Sequence, residues 1–121
     1  MGNENKFIFE DLRVYQRSLN FSVELIKIAI KFPSMYSRLR DQLIGVAISI
    51  PLNLAEGSGR LTSKDKRNFY KNSRASVFEL IPILEISNKL NLIDQQRLDY
   101  FRQEAVEISK IISVLMKNNS A

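Results

Sequence analysis

The sequence predicts an all-α protein, an antiparallel up-down-up-down bundle of four helices. Three breaks containing proline, glycine or asparagine divide the 121 residues into segments of similar length. Within the segments, apolar residues recur every three to four positions, and no stretch alternates with the period of two that a strand requires. The predicted helices cover residues 10–32, 36–57, 63–90 and 95–117, and we expect a single domain over 1–121.

The first predicted helix carries two apolar stripes, whereas an ordinary surface helix carries one. One stripe comprises Leu12, Tyr15, Leu19, Val23, Ile26 and Ile30, and the other comprises Val14, Phe21, Leu25, Ile28 and Phe32. One stripe suffices for a core within the chain, so the second predicts a contact with another subunit. The alternative is a deeply buried helix in a monomer, but four helices provide too little cover for that.

The second predicted helix is apolar around most of its circumference, apart from a narrow file of small and polar residues. This file consists of Gln42, Gly45, Ser49, Asn53 and Glu56, whose spacing places them within about 80° of one another. A helix of this kind needs cover on several sides, which strengthens the prediction of self-association. Pro51 predicts a bend, and Gly57 predicts a left-handed end to the helix.

The polar file has a catalytic and a structural interpretation. The chain contains no His and no Cys, which excludes imidazole and thiolate catalysis and the usual zinc sites. A lone glutamate beside amides and hydroxyls is a poor metal site. We therefore predict a non-enzymatic protein with no catalytic residue, no metal site and no cofactor.

The structural interpretation is a hydrogen-bond network that fixes the register between helices. Its predicted members are Gln42, Ser49, Asn53, Glu56 and Glu79. We expect Asn53 and Glu56 to bond across to the third helix or to the loop at 57–63. Arg60 and Arg74 are the predicted salt-bridge partners.

The third and fourth predicted helices have recognisable starts and core faces. Thr62 and Asp94 stand at the positions of N-cap residues. The core side of the third helix is predicted to contain Phe69, Ser73, Val77, Leu80 and Leu84. The fourth helix has a heptad seam of Leu98, Phe101, Ala105, Ile108, Ile112 and Leu115, which is typical of bundle packing.

The net charge of +5 is unevenly distributed along the chain. Residues 13–74 hold twelve Lys or Arg and four Asp or Glu, which gives this part a net charge of +8. A basic field of this size indicates a polyanionic partner. A solvated basic surface without a partner is the alternative.

The best candidate for a binding site is a file of cations on the third helix. Lys64, Arg67, Lys71 and Arg74 follow at spacings of three, four and three, and Arg60 precedes them. Such a file would neutralise phosphates in a salt-sensitive and weakly sequence-selective way. An exposed strip on the first helix is expected to extend the same field; it consists of Arg13, Arg17, Lys27 and Lys31.

Two motifs, FEDLRVYQ at residues 9–16 and SIPLNLAEG at residues 49–57, are similar to those of a known family. With Gln42, they make the chain resemble the ribosomal-protein-like four-helix-bundle proteins encoded in intervening sequences of bacterial 23S rRNA genes. These are related to the accessory variability determinant proteins of retroelements. The family usually carries arginines soon after the glutamine, where this chain has Ile44 and Gly45, so no role of those arginines is transferred.

The resemblance implies a homo-oligomer, a pentameric ring, that acts alongside RNA or a reverse transcriptase. We therefore predict a cytoplasmic, basic protein that binds RNA or DNA through phosphate contacts. The alternative is an oligomeric protein-binding scaffold or accessory subunit, whose charge steers an acidic protein partner such as a reverse transcriptase. No apolar run reaches the roughly 18 residues of a membrane span, so we expect no membrane contact.

Overall fold

The computed structural model describes residues 5–119, and every regular element within that range is a helix. In chain order the elements are a 3-10 helix at Ile8–Asp11, α1 at Arg13–Ala29, a second 3-10 helix at Ser34–Tyr36, α2 at Ser37–Ser58, α3 at Ser63–Lys89 and α4 at Gln95–Asn118. The predicted all-α class is confirmed, and the four long helices agree with a four-helix bundle.

The bounds of α1 differ most from the prediction, because both ends are shorter than 10–32. At the start, Glu10 belongs to the short 3-10 helix, where its carboxylate accepts a hydrogen bond from the Phe7 main-chain N–H at 2.7 Å. At the end, Pro33 disfavours a helical conformation for Phe32. The last residues before the proline therefore form a turn, and α1 stops at Ala29.

The helices pack in a ring around a shared core. Each helix contacts its neighbours in the chain, and α1 also contacts α4. Within the described range, no Cα atom of α1 lies within 8 Å of one in α3, and the same holds for α2 and α4. Between α3 and α4, Arg74 bonds to Ser113 and Glu85 bonds to Arg102, so numbers rise along one helix as they fall along the other. α3 and α4 are therefore antiparallel, as the predicted up-down-up-down order requires for this pair.

All four helices contribute to one hydrophobic cluster. Its largest fully buried apolar side chains are Phe21, Leu25, Leu43, Ile50, Leu54, Val77, Leu80, Leu84, Ile108 and Ile112. The seam predicted for α4 is confirmed, since its first five members are buried and Leu115 packs against them. Thr62 and Asp94 also cap α3 and α4 as predicted, because each side chain accepts a main-chain N–H.

The turn between α2 and α3 corrects two predictions. Gly57 lies inside α2, which continues to Ser58, and does not form a left-handed end. A Cβ at Gly57 would lie 2.8 Å from the Tyr70 ring and 2.9 Å from the Cβ of Phe69. The glycine therefore allows close approach of α2 to α3. It is Tyr70 that lies in the core at this level, whereas Phe69 is only half-buried.

The two apolar stripes of α1 have different environments. The stripe with Val14, Phe21 and Leu25 lies in the core. In the other stripe, Leu12, Tyr15 and Ile26 are half-buried against the core, whereas Leu19, Val23 and Ile30 are exposed. This stripe is on the side of α1 opposite the residues that contact α4, and so it lies beside α2. It forms, with the outward side of α2, a surface that we call the α1–α2 apolar face, comprising Leu19, Val23, Ile26, Ile30, Ile44, Ile48 and Leu52.

Candidate nucleic-acid interface

The cation file begins at the first turn of α3, whose start is fixed by a side-chain cap. The Thr62 hydroxyl accepts a hydrogen bond from the Asp65 main-chain N–H at 3.1 Å. Helical geometry then repeats every three to four residues, so Lys64, Arg67 and Lys71 project from one side of α3. All three side chains are exposed.

These three cations line one groove between the start of α3 and the end of α4. The groove has a volume of about 360 Å³ and is lined by Ser63, Lys64, Arg67, Asn68, Lys71, Met116 and Asn119. None of these lining residues is acidic. The positive charges therefore face the groove without a carboxylate in its wall. We call this surface the cation groove.

Arg74 continues the file but is held in place by two contacts. Its Nε donates a hydrogen bond to the Ser113 hydroxyl on α4 at 2.8 Å. Its guanidinium also lies over the ring of Phe78, 4.6 Å from the ring centroid. Arg74 therefore cross-links α3 to α4 at the inner end of the cation groove.

Arg60 lies apart from the cation groove, at the turn between α2 and α3. It forms an ion pair with Glu56 at 2.8 Å, four residues earlier, and its guanidinium lies 4.4 Å from the Phe69 ring centroid. The prediction that Glu56 bonds to the 57–63 loop is therefore correct. Both partners are substantially exposed, so this pair contributes little to stability.

The cations of α1 lie on a helix that has no Cα atom within 8 Å of one in α3 in the described chain. The expectation that they extend the field of the α3 file stays a prediction. Arg17 makes two hydrogen bonds to Glu104 on α4, at 2.7 and 2.9 Å. These hydrogen bonds raise the pKa of Arg17 above its ordinary value. Arg13, Lys27 and Lys31 are exposed.

The predicted polar network is smaller than the sequence indicates. The hydroxyls of Ser49 and Ser76 lie 2.7 Å apart across the α2–α3 contact. Asn53 bonds to Ser49 within its own helix and does not itself reach α3. Gln42 and Glu79 are exposed and lie outside this network.

Sequence reasoning missed two features of this region. One is the hydrogen bond of Ser73, whose predicted place on the core side is correct and whose hydroxyl donates to the Ile50 carbonyl at 2.8 Å. The other is the contribution of α4, which supplies Met116 and Asn119 to the cation groove. An antiparallel pairing of the last two helices places the end of α4 beside the start of α3. The predicted topology therefore already contained the information needed to place Met116 and Asn119 near the cation file.

Comparison with protein-family models identifies the family of this chain. Residues 10–114 match the model described as "23S rRNA-intervening sequence protein". The chain belongs to this family.

A solved structure with a similar fold supports the bundle. It is described as a protein with unknown function from the S23 ribosomal protein family of Bacteroides thetaiotaomicron. The match has a TM-score of 0.77 and 20% sequence identity, and it covers 86% of this chain and 98% of that chain. At this identity the likeness shows the fold alone. No curated protein matches the sequence.

Two residues of the SIPLNLAEG motif lie on the α2 side that meets α3. Ser49 contributes the Ser49–Ser76 contact, and Gly57 allows the approach of Tyr70. Burial raises the pKa of Tyr70 above its ordinary value. The first and last residues of the motif therefore contribute to the packing of α2 against α3.

Residues 5–119 contain no group of three acidic side chains positioned to hold a metal ion. No helix in the same range combines the length and hydropathy that a bilayer crossing requires.

Proposed function

We propose that this member of the 23S rRNA-intervening sequence protein family is a non-enzymatic homo-oligomer that binds RNA or DNA through phosphate contacts. The observation that carries the proposal is the cation groove, where Lys64, Arg67 and Lys71 face one cavity whose lining contains no acidic residue. Flexible ammonium and guanidinium groups around a groove suit a phosphate backbone, whose position they fix without reading sequence.

The proposal predicts a strong salt dependence. Each phosphate that a cation neutralises releases condensed counterions, which makes log K fall by about 0.7 to 0.9 per log unit of salt. Three groove cations therefore correspond to a slope of about −2 to −3 for each protomer. A single protomer with only three such contacts therefore binds weakly.

Self-association through the α1–α2 apolar face would multiply these weak contacts. Leu52 and Ile30 on this face are 61% and 63% exposed in the protomer. Gly45 lies beside the face in the middle of α2, where glycine costs a helix about 1 kcal/mol, and nothing lies within 4 Å of the Cβ position. A second protomer packing there would explain both the exposed apolar side chains and the glycine within α2.

We propose a closed ring of protomers, with five as the number that the family resemblance implies. In a ring, each protomer would present its own cation groove. Linked grooves convert later contacts into intramolecular ones, so overall affinity rises without any new contact.

The experiment compares two double charge reversals by fluorescence anisotropy with labelled RNA over a range of salt. Lys64→Glu/Lys71→Glu removes two groove cations, and Lys89→Glu/Lys110→Glu is the control with the same change in net charge outside the cation groove. We expect the first variant to bind at least about tenfold more weakly and its salt slope to become shallower by about 1.5. The control should keep both the affinity and the slope close to native.

Equal losses in the two variants would contradict a defined site, because net charge alone would then explain binding. Absence of RNA and DNA binding by the native protein would contradict the nucleic-acid function. In that case a protein-binding scaffold with an acidic partner, such as a reverse transcriptase, becomes the better proposal. Circular dichroism and particle size must be unchanged in each variant.

A further inference from the structure

A second, apolar groove lies further along the same two helices as the cation groove. This second groove has a volume of about 170 Å³ and is lined by Val77, Phe78, Ile81, Ala105, Val106 and Ser109. The Arg74–Ser113 hydrogen bond lies between the two grooves, and the Glu85–Arg102 ion pair lies beyond the apolar one. A ligand that passes over the Arg74 side chain would contact the linings of both grooves.

Phe78 is the aromatic residue of this apolar groove, and its side chain is 56% exposed. The Arg74 guanidinium covers one face of the ring, 4.6 Å from its centroid, so a ligand would stack on the other face or on the guanidinium itself. Aromatic rings and arginine planes are the groups on which unpaired bases stack. From Lys64 to Phe78 the helix rises about 21 Å, a length that several nucleotides can follow.

We infer that the cation groove and the apolar groove together bind single-stranded nucleic acid. Phosphates lie along Lys64, Arg67 and Lys71, and an unpaired base stacks at Phe78 beside Arg74. This inference rests on the proposed function and adds the class of ligand to it. In a duplex the faces of the bases are already stacked on one another, so a duplex would contact the cations and gain nothing from Phe78.

The experiment uses three labelled probes of about 12 nucleotides, a length within the range that one binding fold covers. They are a single-stranded RNA, the duplex of the same sequence, and an abasic strand with the same number of phosphates. Phe78→Ala is expected to weaken binding of the single strand by about 5- to 100-fold, the value of one base–aromatic stack. Binding of the duplex and of the abasic strand should change by less than about twofold.

Two further variants separate stacking from other effects. Phe78→Trp keeps an aromatic face and should retain preferential binding of the single strand. Ile86→Ala removes a 50% exposed apolar side chain from α3 outside the apolar groove, and it should change none of the three affinities. Because both positions are exposed, we expect the fold to tolerate these changes.

The outcomes distinguish this inference from the proposed function. If Phe78→Ala leaves the single-strand affinity unchanged, or lowers it equally for the abasic strand, while Lys64→Glu/Lys71→Glu still loses binding, the inference is wrong and the proposed function stands. If the native protein binds none of the probes, both fail. Retention of an acidic amphipathic peptide that depends on Phe78 would then assign the apolar groove to a protein partner.

Discussion

The α1–α2 side and the α3–α4 side of the bundle both expose apolar residues, but the two sets of side chains differ in chemistry. The exposed rows of α1 and α2 are aliphatic, and the exposed Lys27 lies at their edge, one turn from Val23 and from Ile30. The apolar groove between α3 and α4 contains the Phe78 ring and lies between the Arg74–Ser113 hydrogen bond and the Glu85–Arg102 ion pair. An aliphatic surface suits another copy of itself, whereas an aromatic groove flanked by arginines suits a ligand with both phosphates and bases.

The largest expected effect of a single substitution concerns the α1–α2 apolar face. Leu52→Glu places a carboxylate where we propose that protomers meet, and burying an unpaired charge costs several kcal/mol. We expect self-association to weaken by at least about 100-fold, measured by light scattering over a range of protein concentration. Folding should be unaffected, because Leu52 is exposed in the protomer.

Leu61→Glu is the matched control for this prediction. Leu61 is 98% exposed in the turn between α2 and α3, outside the α1–α2 apolar face. The same chemical change there should leave particle size as it is in the native protein. If both substitutions dissociate the assembly equally, the assignment of the contact to α1 and α2 is wrong.

The features predicted correctly from the sequence depend on residues close together in the chain. The caps at Thr62 and Asp94 and the heptad seam of α4 are patterns within one turn or one helix, so local periodicity suffices. The position of the α1 core stripe was left open, because two stripes were equally apolar. Only packing shows which of them faces the core.

The features missed or misassigned depend on which helices meet. Gly57 looks like a helix end in the sequence, but its role comes from the Tyr70 ring on another helix. The cation groove includes Met116, more than forty residues from the cation file.

The second prediction concerns the contact between α2 and α3 at Gly57. Gly57→Ala brings a Cβ to 2.8 Å from the buried Tyr70 ring and 2.9 Å from the Phe69 Cβ, so α2 and α3 must separate. We expect the free energy of unfolding to fall by about 1–3 kcal/mol, measured by urea denaturation. Gly59→Ala is the control, because its Cβ would lie 3.7 Å from the nearest atom and should change stability by less than about 0.5 kcal/mol.

The third prediction concerns the contact of α1 with α4. The Tyr100 hydroxyl donates to the Glu24 carboxylate at 3.0 Å, and this hydrogen bond raises the pKa of Tyr100 above its ordinary value. Its contribution to stability is therefore complete below about pH 10 and is lost as pH rises through the raised pKa. Ultraviolet absorbance of tyrosinate should show that Tyr100 ionises at a higher pH in the native protein than in Glu24→Gln. Tyr100→Phe identifies which part of the absorbance change comes from Tyr100. Identical titrations would contradict this contact.

The smallest expected effect tests the separation of the two basic surfaces. Lys27→Glu/Lys31→Glu changes the net charge as much as the groove variant does, but on a helix that does not contact α3. We expect RNA affinity to change by less than about twofold at physiological salt, because exposed charges beyond about 8 Å are largely screened. A loss as large as that of Lys64→Glu/Lys71→Glu would show that nucleic acid contacts α1 as well.

The most direct test of the account is the mass of the native particle at micromolar protein concentration, measured by sedimentation velocity. One chain has a mass of 14.0 kDa. We predict a single species at a multiple of that mass, because the aliphatic rows of α1 and α2 are too exposed for an isolated protomer. A folded species of 14.0 kDa at this concentration would contradict the central claim and remove the avidity on which the proposed binding depends.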